Sequence, residues 1–96
     1  MRNPKINVIK VFKALSFQKR VKIFLLLLKN RNGLHLSLIS EKLKMPIQTA
    51  GRHILKLRSA GIVTSKRYKN KMVYTVRPLA AEFDTDLVLF IKKYLK

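Results

Sequence analysis

Four side chains in the middle of the chain, Gln48, Thr49, Arg52 and Lys56, are of types suited to reading flat hydrogen-bonding edges. A Gln amide can pair bidentately with adenine and an Arg guanidinium with guanine, and a Thr methyl can touch the thymine methyl. Placed on one helix, they share the side away from Ala50, Ile54 and Leu57, whose 3.6-residue periodicity marks a buried face. Gly51 beside them has no side chain, which would let such a helix approach a nucleic-acid backbone closely. The helix N-terminus itself favours a phosphate. A second cluster follows at Lys66, Arg67, Lys69 and Lys71, four cations within six residues, whose chemistry is attraction to phosphate. Tyr68, among them, either stacks or donates to a phosphate, or packs across a hairpin.

The elements that must carry these groups are marked by periodicity and punctuation. Val8, Val11, Phe12 and Leu15 form an i, i+3, i+4, i+7 stripe, which predicts a first helix between Pro4 and Leu15. Ser16 is the expected N-cap of a second, whose buried face would be Phe17, Val21, Phe24, Leu25 and Leu28. Asn30 to Gly33 stops it, since Asn and Gly accept positive φ. Leu34-His35-Leu36 reads as a strand stub, and Ser37 as the cap of a third helix over Leu38–Leu43. Lys44-Met45-Pro46 is the turn, with Pro46 at the first position of a fourth helix, about Ile47 to Ala60, and Gly61 as its C′ residue. Ile62–Ser65 and Met72–Val76 predict two strands, joined by a hairpin over Lys66–Lys71 with Asn70 at a positive-φ site. Phe83 to Lys96 predicts a last helix, with acids at its start and lysines at its end. The order α-α-(β)-α-α-β-β-α is mainly helical with a small β-hairpin wing: a winged helix-turn-helix, read as a single domain over 1–96.

Charge decides which chemistry is in play. Twenty-two Lys and Arg oppose four acids, a net charge of +18. Glu82, Asp84 and Asp86 fall together, so only Glu41 offsets the nineteen basic residues of 1–81. Such self-repulsion calls for a polyanion, and double-stranded DNA is the expected partner. An anionic membrane surface is a weaker expectation. The longest apolar run, Ile23–Leu28, is six residues, and the N-terminus lacks the features of a secretory signal. The expected location is the cytoplasm, on DNA. There is no Cys, and His35 and His53 stand far from the acidic cluster, so no metal site, no catalytic constellation and no cofactor or small-molecule ligand is expected.

Two segments resemble a family. Phe12–Ser16 with Arg20–Leu27 looks like the second-helix signature of ArsR-type winged-helix repressors. Arg52–Val63 is similar to that family's recognition-helix exit, and Lys71–Val76 to its second wing strand. The resemblance covers roughly residues 8 to 78. It implies a homodimer built from the first and last helices, binding an imperfect inverted repeat as a repressor, and a buried, non-ligating His53. The family often has Ser where Gly51 stands here, and many members sense metals through residues this chain lacks. Independently, the apolar excess of the first helix, at Ile9 and Phe12, and of the last, at Leu87, Phe90, Ile91 and Tyr94, exceeds what one small domain hides and predicts a dimer interface. Two functions follow: a sequence-specific regulator without metal sensing or, alternatively, an architectural, largely non-specific DNA-binding protein.

Overall fold

A computed structural model describes residues 8–77. Within them the elements are α1 (Val8–Ala14), α2 (Gln18–Lys29), β1 (Leu34–His35), α3 (Leu36–Leu43), α4 (Ile47–Ser59), β2 (Val63–Tyr68) and β3 (Lys71–Val76). The expected last helix lies outside the described residues.

Helix α2 is the centre of the fold. It packs on α3, α4 and β3. That wide surround explains why its buried residues, Val21, Ile23, Phe24 and Leu27, span a broader arc than a single stripe. Leu25 and Leu28, expected on the buried face, are only half-buried. Phe17 departs further: it is the N-cap residue, outside the helix, and 51% exposed. Ser16 does not cap α2, because its hydroxyl donates to the Lys13 carbonyl at 2.7 Å and closes the end of α1.

The turn between α3 and α4 is fixed by a reciprocal pair. The Ser40 hydroxyl donates to the Met45 carbonyl at 2.6 Å, and the Met45 amide donates to the Ser40 carbonyl at 3.1 Å. Lys44 takes the left-handed conformation between them, with φ +54°. His35 replaces the expected Ser37 as the residue before α3, and the Ser37 hydroxyl lies 2.9 Å from His35 Nδ1. Pro46 precedes α4 instead of opening it, and its carbonyl accepts from the Ala50 amide at 3.0 Å. At the other end of α4, Gly61 has φ +82°, and Ile62 and Gly61 donate to the carbonyls of Leu57 and Arg58 at 3.0 Å each. This is a Schellman ending, and the buried pair Leu57 and Ile62 completes it.

The sheet runs β1-β3-β2, antiparallel throughout. The strand stub pairs Leu34 with Tyr74 and His35 with Val73. Gly33 has φ +97°, and a Cβ there would stand 2.7 Å from the Thr75 methyl, so only glycine fits beside β3. The wing strands are longer than expected. Pairing continues from Val63↔Val76 to Tyr68↔Lys71, leaving a loop of Lys69 and Asn70 alone, with φ +48° and +67°. Positive φ at both positions is the geometry whose twist matches a tight hairpin.

Candidate nucleic-acid interface

Helix α4 buries Ala50, Ile54 and Leu57 and turns Gln48 and Arg52 to solvent, with Thr49 half-buried at their side. Lys56 is exposed but opens onto a cleft with α1 and α2, so it stands apart from the other three. Gly51 faces inward toward α3: a Cβ there would meet the Leu36 side chain at 3.6 Å, ordinary contact. Its place is therefore at the junction of the two helices, and a close approach to DNA is not its evident purpose. Two apolar residues escaped the sequence reading. Ile47 is 41% exposed at the first position of α4, and Leu55 is 58% exposed on its outer face. Leu55 was visible as an apolar position off the Ala50–Ile54–Leu57 stripe, whereas Ile47 continues that stripe, three residues before Ala50, and its exposure carried no signal.

The wing follows α4 directly through Gly61 and Ile62. An Arg77 amide donating to the Ile62 carbonyl at 2.9 Å ties its two ends together. Lys66, Arg67, Lys69 and Lys71 are all exposed. Lys66, Arg67 and Lys71 sit on paired strands and only Lys69 on the loop, so most of the wing's charge is held on a defined framework. Tyr68 is exposed, and the Lys69 ammonium lies 5.4 Å from its ring centre.

One side-chain pair secures α4 from behind. Arg20 of α2 donates from Nε to His53 Nδ1 at 3.2 Å and reaches the Ala14 carbonyl at 3.5 Å. His53 is half-buried, less hidden than expected. Its pKa is held below the ordinary 6.5, first by burial and then by the charges of Arg20, Lys19 and Arg52. Neutral His53 is thus the form that can accept from Arg20. Among the described residues, seventeen Lys and Arg face Glu41 as the one acidic side chain. Among these same residues no three His, Cys, Asp or Glu side chains cluster, and none of their helices is long and apolar enough to cross a membrane.

A half-described α1 completes the surface: Val11 and Ala14 are buried, while Ile9 and Phe12 are 67% and 55% exposed. Leu87, Phe90, Ile91 and Tyr94 lie outside the described residues.

The architecture has counterparts among solved structures. The homodimeric winged helix-turn-helix DNA-binding domain of Mb0332 from Mycobacterium bovis, a possible ArsR-family transcriptional regulator, superposes with a TM-score of 0.74 at 26% identity, over 90% of this chain and 75% of that one. The chain is a winged helix-turn-helix domain. This agrees with the ArsR-type resemblance in its sequence. HlyU from Vibrio cholerae has a TM-score of 0.75 at 21% identity, over 93% of this chain and 92% of its own. The transcriptional repressor PagR of Bacillus anthracis gives 0.68 at 24%, with the same coverage of both chains. No family model and no curated protein matches the sequence. With a DNA-binding domain and a transcriptional repressor among these structures, the fold supports a DNA-binding transcriptional regulator.

Proposed function

We propose that the protein is a homodimeric transcriptional repressor that reads specific double-stranded DNA and has no metal-sensing site. The observation that carries this reading is the exposed outer face of α4, bearing Gln48 and Arg52, joined without a linker to a cation-dense wing. Gln48, Thr49 and Arg52 contact base edges. Lys66, Arg67, Lys69 and Lys71 hold phosphates, and Lys56 contributes charge at the far end of the helix. Ile9 and Phe12, together with Leu87, Phe90, Ile91 and Tyr94, form the interface between copies, within one domain over 1–96. A two-fold dimer sets its recognition helices about 34 Å apart, one turn of DNA. Such a protein works on DNA in the cytoplasm.

The test is selection from random duplexes at about 150 mM salt, where purely electrostatic binding is weakened. An enriched inverted repeat is the expected product. Recovery of unselected sequence would instead favour the architectural reading, which the net charge of +18 independently supports.

A further inference from the structure

We propose that the cleft where α1, α2 and α4 meet is a binding site for a small aromatic anion. The cleft is open to solvent and has a volume of about 490 Å³, within the range of small-molecule sites. Its lining divides by chemistry. Ala14 and Phe17 supply an apolar surface, Lys13, Arg20 and Lys56 supply charge, and Ser59 supplies a hydroxyl. None of the described acids belongs to it: Glu41, the one carboxylate among the described residues, is on α3 and does not line the cleft.

Phe17 gives the site its preference for a ring. It lies outside the core, half of it exposed, and the Arg20 guanidinium sits 4.1 Å from its ring centre. A flat ligand can extend this stack, because aromatic faces and guanidinium planes both accept such contact. Arg20 already uses Nε on His53 and one terminal nitrogen on the Ala14 carbonyl. Its other terminal nitrogen remains to donate to a carboxylate or phosphate, with Lys13 and Lys56 adding charge around it.

Apart from Lys56, which it shares with the proposed DNA-contacting set, the site is distinct from both surfaces already assigned. Ser59 is eleven residues beyond Gln48 on α4, about 16 Å along the axis. Ile9 and Phe12 do not line the cleft. Arg20 nevertheless links it to the recognition helix, since the guanidinium that would meet the anion is the one bonded to His53. An anion bound there adds a partner to the guanidinium that holds His53, and so bears on a contact that secures α4.

The experiment is an NMR titration of the full chain, without DNA, using phenyl phosphate, inorganic phosphate and phenol as probes. Its outcome is therefore independent of whether DNA is read specifically. Phenyl phosphate should bind saturably, shift the amides of Phe17, Arg20 and Ser59 most, and bind up to about tenfold tighter than inorganic phosphate. Phe17→Ala should remove that advantage and Lys13→Gln should weaken both phosphates, while the remaining spectrum stays folded because both side chains are exposed. Equal binding of the two phosphates, or shifts spread over every basic surface, would overturn the assignment. So would phenyl phosphate binding that emerges only in an E82Q/D84N/D86N variant, which would give the cleft to the chain's own carboxylates.

Discussion

In the proposed reading of bases Arg52 should matter most, because its fork can satisfy two acceptors of one guanine. Arg52→Ala should cost about 1–3 kcal/mol at the selected duplex and relax preference at one position. Equal loss on selected and random DNA, measured by competition binding, would move Arg52 into the phosphate-holding set. Ile47 carries a second, sharper expectation. An exposed branched side chain at the start of α4 is placed to meet a thymine methyl. Replacing thymine by deoxyuridine, one position at a time, should weaken the native protein at one site and leave Ile47→Ala unaffected there. If no position couples to Ile47 in that cycle, the contact does not exist. His53 governs stability. Its folded pKa lies below the unfolded value of 6.5, so between the two the unfolded chain binds more protons. Stability is therefore complete above about pH 6.5 and falls as pH drops through the folded pKa, when Arg20 loses its acceptor. Denaturant midpoints recorded across that range should decline, and His53→Gln should flatten the decline.

At the level of elements, the glycines separate what sequence shows from what only packing shows. Gly61 was legible, because a glycine after a periodic apolar run is the usual helix ending, and the structure gives it φ +82°. Gly61→Ala should destabilise by about 1–2 kcal/mol, the cost of left-handed backbone for an L-residue, as read by chemical unfolding. Gly33 likewise takes positive φ, +97°, but a further constraint comes from the strand beside it, a pairing between segments forty residues apart that no local pattern contains. Within residues 8–77 the helices, their order and the wing were readable from periodicity. Caps were not. Ser16 and Ser37 were good capping types, but hydroxyls bond whichever partner is nearest, the Lys13 carbonyl for one and the His35 ring for the other. Strand ends were also hidden, since Lys66 and Arg67 look like loop residues until pairing with Val73 and Met72 claims them. Of the candidate site, the outward face of α4 and the charges of the wing were visible in residue types. The exposed Ile47 and the Arg20–His53 anchor were not, because exposure and long-range contact belong to the folded chain.

For the whole molecule, charge and assembly set the observable behaviour. If a dimer neutralises roughly eight phosphates, log K should fall with log salt at a slope near −7. Lys69→Glu, at the wing tip, should make that slope shallower by about 1 or more while leaving the sequence preference intact. An unchanged slope would show that the tip does not reach the backbone. Phe12→Glu should shift the sedimentation coefficient from dimer to monomer. A chain that remains dimeric would place the interface away from α1. The stiffness of the wing has a consequence for how long an operator must be. Six paired residues in each strand, closed by a two-residue loop, make a rod of about 17–20 Å. That is roughly half a turn of duplex, so a wing lying along DNA should place its tip some five base pairs from the end of α4. Cleavage protection should then fall in two blocks per half-site, one at the recognition helix and one at the flank. The outer block should carry little sequence information, and shortening the hairpin by two residues on each strand should erase it while sparing the inner one.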